Sequence, residues 1–207
     1  MRLDRRTFVA GGVAAAQGLT ILPACAAPAG DRWLNAPPQW QATPGGLRMT
    51  TAPKTDFWRK TFFGYVTDNG HVYGRDVAGD FTAVVRLAGK FTAQYDQGGL
   101  MVRQDATTWM KCGVEFVDGR ATISSVFTRD FSDWAGAPAQ GADGPLWVRL
   151  VRKGGSLTYA WSSDGKTFRE VRQGYLSEAP SLFVGMMAAA PEGPGFEVEF
   201  SDFAVSG

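Results

Sequence analysis

Between Tyr95 and Phe116 the chain reads YDQGGLMVRQDATTWMKCGVEF. In its second half, alternation places Met110, Cys112, Val114 and Phe116 on one side and Trp109, Lys111, Gly113 and Glu115 on the other. Side chains along a strand point to opposite faces with period two, so this stretch specifies a strand with one oily face and one functionalised face. A helix would scatter both sets around its circumference. The same register returns at Phe81, Ala83, Val85 and Leu87. It returns again at Leu146, Val148 and Leu150, which face away from Trp147, Arg149 and Val151.

Strands are expected at 47–51, 61–66, 81–87, 94–104, 109–117, 121–128, 146–152, 156–162, 168–172, 182–188 and 196–205. Asp118-Gly119, Gly154-Gly155 and Asp164-Gly165 punctuate three of the joints, and such pairs supply the positive φ angles of tight hairpins. About ten hairpin-linked, half-buried strands with no convincing helix predict an all-β, antiparallel two-sheet β-sandwich. A closed barrel is the alternative.

The first 26 residues read as an export signal rather than as fold. Arg5-Arg6 precede an alanine-rich apolar run from Val9 to Leu22, and Ala24-Cys25-Ala26 offers a small-residue cleavage site. The paired arginines point to the twin-arginine route, with a periplasmic or extracellular destination. Leu22-Pro23-Ala24-Cys25 also resembles a lipobox, so a membrane association is expected only if Cys25 is lipidated. The proline-rich segment 27–46 reads as a linker, with Trp33, Leu34 and Trp40 against the domain edge; the sandwich is expected at 47–207.

Without the signal, 18 basic and 19 acidic side chains remain, which leaves no basic stripe for phosphates and argues against nucleic acid. Cys112 is then the single cysteine, placed in the oily register, so the core must hold without a disulfide. Fourteen Phe and seven Trp make such a core feasible. His71 is the only histidine, which excludes a multi-histidine metal site; no metal or cofactor is expected.

Several short motifs occur in a fixed order. They are Thr55-Asp56-Phe57-Trp58, Asp68-Asn69-Gly70-His71, Gly79-Asp80-Phe81 and Tyr95-Asp96-Gln97-x-Gly99-Leu100. Trp109-x-Lys111-x-Gly113-x-Glu115, Thr128-Arg129-x-Phe131-Ser132-Asp133-Trp134 and Trp161-Ser162-Ser163-Asp164-Gly165 follow. Together they resemble the regulation-of-enolase-like family, known as domain of unknown function 1349, over roughly 47–205. The resemblance implies a concanavalin A-like jelly-roll sandwich. It implies no settled activity, and the carbohydrate binders and glycosidases of that superfamily are an analogy of fold.

The candidate ligand face consists of Trp109, Lys111 and Glu115, with Tyr95 and Gln97 in register on the preceding strand and Arg129 at the end of the following one. Aromatic platforms beside hydrogen-bonding groups suit a sugar, which has apolar ring faces and a hydroxyl rim. The expected function is non-catalytic binding of a carbohydrate or similar polyol on the concave sheet face. A glycoside hydrolase is the alternative, pairing Glu115 with Asp96, Asp133 or Asp56. A protein-interaction module without a small ligand is a third reading.

Further clusters have plainer expectations. Arg129, Asp133 and Trp134 either line a pocket rim or belong to a turn, with a Gly/Pro/Ala loop at 135–145 capping the same face. His71 is expected to hydrogen-bond a loop, and Asp164 to hold its turn. Glu197, Glu199 and Asp202 are expected on a solvated face, because catalysis there would need a bulge.

Overall fold

The computed structural model describes residues 30–139 and 144–207. The expected export signal, with Cys25, lies outside the described residues. Sixteen strands are formed, in chain order β1 (Arg32–Leu34), β2 (Gln39–Thr43), β3 (Gly46–Thr50), β4 (Phe57–Arg59), β5 (Val66–Asp68), β6 (His71–Ala78), β7 (Phe81–Gly89) and β8 (Gln97–Arg103). They continue as β9 (Thr108–Val117), β10 (Arg120–Arg129), β11 (Phe131–Pro138), β12 (Leu146–Lys153), β13 (Ser156–Ser162), β14 (Arg169–Tyr175), β15 (Ser181–Ala189) and β16 (Glu197–Ser206).

Two seven-stranded sheets result. The first runs β1-β6-β15-β8-β9-β10-β11, the second β14-β13-β12-β7-β16-β3-β2, and all their pairings are antiparallel. The fold is the jelly-roll sandwich.

The inner faces meet in one continuous core. The second sheet contributes Leu47, Met49, Phe81, Ala83, Val85, Leu87, Leu146, Val148, Leu150, Val198 and Phe200. The first contributes Leu100, Val102, Met110, Cys112, Val114, Ile123, Phe127, Val184 and Met186. Cys112 is buried in this core, which pushes its thiol far above the ordinary range and leaves it a small hydrophobe. Tyr159 Oη donates to the Gly113 carbonyl at 3.0 Å and so ties the second sheet to the middle of β9. The turns behave as their residues require. Asp118 and Gly119 take φ of 50° and 78°, and Asp164 Oδ1 accepts from the Lys166 and Thr167 amides.

Four expectations are corrected. Residues 32–46 are part of the sandwich rather than a linker: β1 is an edge of the first sheet and β2 an edge of the second. Prolines 37 and 38 fall between these strands, where no ladder amide is needed, and Pro44-Gly45 makes the β2–β3 turn with Gly45 at φ 72°.

The strand expected at 61–66 is instead the tip of a small separate hairpin, β4–β5, because Lys60, Phe62 and Gly64 all take positive φ. The loop expected at 135–145 begins as strand, since β11 pairs with β10 as far as Pro138; residues 140–143 lie outside the described residues. The segment 71–78, expected in no strand, is β6. Its Gly74 faces the backbone of Val184 so closely that a Cβ would overlap the carbonyl oxygen.

Candidate functional site

The outer face of the first sheet is where the motifs converge, and it is half covered. The β4–β5 hairpin lies on it. Phe57 and Trp58 form a second apolar cluster with Val72, Met101, Trp109, Val126, Phe183 and Met187. The Phe57 and Trp109 rings meet edge-on at 6.1 Å.

Polar contacts pin the hairpin at both ends. Arg103 grips Asp68 with two bonds of 2.7 Å, and Asn35 Nδ2 donates to the carbonyls of Asp68 and Gly70. Arg59 and Lys60 both reach the Asp130 carboxylate, at 2.8 and 2.6 Å, while the Arg59 amide donates to Ser132 Oγ at 2.9 Å. His71 is nearly enclosed beside this assembly. Its Nε2 accepts from the Ala52 amide at 3.0 Å and its Nδ1 bonds the Asn35 carbonyl at 2.7 Å, so its role is to hold loops.

Where the hairpin stops, a cleft of about 670 Å³ opens. Its floor is the polar row of β8 and β9: Gln97, Lys111 and Glu115. One wall is the hairpin tip with Phe62, Phe63 and Tyr65; the other is the start of β11 with Phe131, Asp133 and Trp134. Phe63 packs edge-on to Phe62 at 4.9 Å and stacks on Tyr65 at 5.7 Å. Phe62 is 93% exposed, the most solvated large apolar side chain described.

The row stays open at its centre because Gly113 and Gly99 lie opposite each other. A Cβ on Gly113, at φ 153°, would overlap the carbonyl oxygen of Gly98, and one on Gly99 that of Cys112.

The floor is a fixed hydrogen-bond network. Asp56, at the foot of the hairpin, accepts on Oδ1 from Lys111 Nζ at 3.1 Å, from Gln97 Nε2 at 3.2 Å and from the Phe57 amide at 2.7 Å. Asn69 positions that turn by accepting from the Asp56 amide at 2.9 Å. Burial, then the negative charge of Asp56, raises the Tyr65 phenol to about 12, so Tyr65 remains a neutral donor. On the far side Glu115 Oε2 accepts from Trp134 Nε1 at 2.6 Å, and Gly136 leaves room for the indole across the sheet.

The residues expected at the ligand face divide accordingly. Tyr95, Gln97, Lys111 and Glu115 line the cleft. Trp109 does not: it is wholly buried beneath the hairpin and offers no platform, because Phe57 and Trp58 need the same apolar surface. Arg129 does not either; it pairs with Phe131 but shares the core-facing register of Phe127, on the opposite face of the sheet, 5.6 Å from the Tyr175 ring.

Asp133 and Trp134 are at the rim, as the RDFSDW motif allowed. Asp96 is buried away from it, with Oδ2 accepting the Thr92 and Ala93 amides. Glu197 and Glu199 pair with Lys90 and Arg48 on the outer side of the second sheet, and β16 does bulge between Ser201 and Ala204. The aromatics Phe62, Phe63, Tyr65 and Phe131 were missed; the signal for the first three was a dense aromatic run interrupted by Gly64, which reads equally as core strand, and for Phe131 its place in the RDFSDW motif. Among the described residues no three His, Cys, Asp or Glu side chains group to hold a metal ion.

Known proteins share this plan. Regulation of enolase protein 1 of Saccharomyces cerevisiae is 40% identical over 174 residues, covering 84% of this chain and 88% of that one. A crystal structure of a functionally unknown protein from Saccharomyces cerevisiae, also 40% identical, superposes with a TM-score of 0.83 over 85% of this chain and 95% of the other.

The GH43 protein BlXynB of Bacillus licheniformis matches at 19% identity and TM-score 0.64, over 82% of this chain but 35% of its own. An alginate lyase of Klebsiella pneumoniae matches at 10% identity and TM-score 0.52, over 81% and 83%. These last two likenesses are of fold alone. The family model described as Protein of unknown function (DUF1349) matches residues 33–207. With that match and the yeast relative spanning nearly the whole sandwich, the chain belongs to the DUF1349 family.

Proposed function

We propose that this protein is an exported, non-catalytic module that binds a carbohydrate in the cleft between the β4–β5 hairpin and β11. The observation that carries the reading is the cleft's division of labour: aromatic walls from Phe62, Phe63, Tyr65, Phe131 and Trp134 stand over a floor of Gln97, Lys111 and Glu115. A pyranose presents apolar faces to such walls and hydroxyls to such a floor, and sites of this kind combine apolar area with a few placed polar groups. A ligand would meet a floor already held in place by Asp56, which lowers the ordering cost of binding.

Hydrolysis is the competing reading, because Asp56, Glu115 and Asp133 border one cleft. It needs two available carboxyls. Asp56 and Asp133 are each paired with a cation, Lys111 at 3.1 Å and Arg172 at 2.8 Å, and Asp56 Oδ1 already accepts three hydrogen bonds, so of the three only Glu115 has no cation partner among the described residues.

Glycan-array binding followed by tryptophan-fluorescence titration tests the proposal. Wild type is expected to retain at least one oligosaccharide, and Trp134→Ala to weaken it about tenfold or more, a change of about 1.4 kcal/mol. Equal binding by a folded Trp134→Ala protein overturns the site, and sugar release from β-glucans or aryl glycosides overturns the non-catalytic role. Export is tested by Arg5→Lys with Arg6→Lys, which is expected to leave the protein in the cytoplasm.

A further inference from the structure

The ion pairs around the cleft leave one acid with no direct cation partner among the described residues. The cations in contact with the lining are already paired: Lys111 with Asp56, Arg59 and Lys60 together with Asp130, and Arg172 with Asp133. Glu115 has no cation among the described residues, although it is only 6% exposed. Its Oε2 is held by the Trp134 indole N–H. Its Oε1 takes no hydrogen bond from the protein among the described residues and is not sealed off, and Glu115 lines the cleft. An enclosed carboxylate with an unfilled lone pair is a site for a donor, and for a charged donor before a neutral one. The wall beside it is aromatic, and an aromatic face attracts a cation by its quadrupole: Lys60 Nζ already lies 4.9 Å from the Phe131 ring, and Trp134 is the aromatic bonded to Glu115.

We infer that the saccharide bound in this cleft carries a protonated amine, seated on Glu115 Oε1 and flanked by the Trp134 indole. The inference rests on the carbohydrate reading and narrows it to amino sugars with a free amine. Uronates are disfavoured, because an acidic sugar would bring like charge to an unpaired carboxylate.

The test is isothermal titration of the full protein with three β-1,4-linked tetrasaccharides that differ only at C2: the glucosamine tetramer, cellotetraose and the N-acetylglucosamine tetramer. The glucosamine tetramer is expected to bind about tenfold or more tightly than either of the others, as a charge-assisted bond exceeds a neutral one by roughly twofold in strength. In Glu115→Gln, which keeps an acceptor for Trp134, that preference is expected to vanish while neutral affinity stays within about twofold. Equal or tighter binding of the neutral tetramers to wild type overturns the amine inference and leaves the carbohydrate reading standing. Binding of the glucosamine tetramer that Glu115→Gln does not weaken relocates the amine away from Glu115 and overturns the site. Failure of all three tetramers, together with an array blank for every glycan, overturns both readings.

Discussion

The two sheets are built from the same kind of strand, yet their outer faces differ. On the second sheet, β7 and β12 alternate strictly: Ala83, Val85 and Leu87 are buried, while Thr82, Val84 and Arg86 are half-exposed. On the first sheet, β8 is buried at every position and β9 from Trp109 to Glu115. The reason is the β4–β5 hairpin, which the second sheet lacks. One face of a sandwich sheet must be apolar for the core; the other is free to be solvated, or to be covered and used. Here the covered half supplies rigidity, and the uncovered half becomes the cleft.

The largest expected effect is at the covered half. Trp109→Ala empties a fully buried site and is expected to cost about 3–5 kcal/mol in urea unfolding. Trp147→Ala, half-exposed on the outer face of the second sheet, is expected to cost about 1 kcal/mol. Trp109→Phe sharpens the contrast. The Trp109 Nε1–H has no partner among the described residues, so little beyond volume is lost and the cost should be well under half that of the alanine variant. Similar losses for Trp109→Ala and Trp147→Ala would show that the hairpin does not cover the sheet in solution.

Next come the ion pairs. Lys111 and Asp56 are both enclosed, and Lys111→Ala strands a carboxylate; a loss of about 3 kcal/mol is expected, with partial recovery in the Asp56→Asn, Lys111→Met double variant. Glu199→Gln, at the exposed pair with Arg48, should leave the same unfolding curve unchanged. If both substitutions behave alike, the floor is solvated and the cleft is not preorganised.

A smaller effect follows from His71. Burial lowers its affinity for a proton below the ordinary 6.5, and protonation would put a hydrogen on the Nε2 that accepts from Ala52. The unfolded chain then holds more protons just below pH 6.5, so stability is complete above that value. It declines as the pH falls through it, by at most about 1.4 kcal/mol per unit. Thermal melts from pH 8 to 5 should show this decline in wild type and lose most of it in His71→Gln.

The smallest effect is at the exposed Asp164 turn. Hydrogen bonds from the Thr167 and Lys166 amides and from Ser162 hold its carboxyl near 2. Its support is therefore present above pH 3.8 and lost only as the pH falls toward 2, outside the window where His71 acts.

The strands that alternated cleanly were legible, because a core on one side and water on the other leaves a period-two record. β6 and β11 were not. Gly74 in β6 marks a close backbone approach, and the Ser-Ala-Gly-Pro character of β11 is that of an edge strand whose ladder needs only one neighbour. In the site, the row Gln97–Lys111–Glu115 was legible as polar residues in strand register. Trp109 obeys the same register, but whether a side chain on that face is exposed depends on a segment 50 residues earlier, which sequence spacing does not report.

Sequence alone determined the sandwich, its turns, the oily register of Cys112 and the face on which the polar row lies, because each depends on neighbours one or two positions apart. Only the tertiary structure decided which part of that face is open. It carried Asp56 to Lys111 and set the Phe62–Tyr65 tip opposite Trp134. It also left Glu115 held by Trp134 with no cation beside it among the described residues. Those are contacts between elements far apart in the chain, and their energies come from burial and pairing that no local pattern encodes.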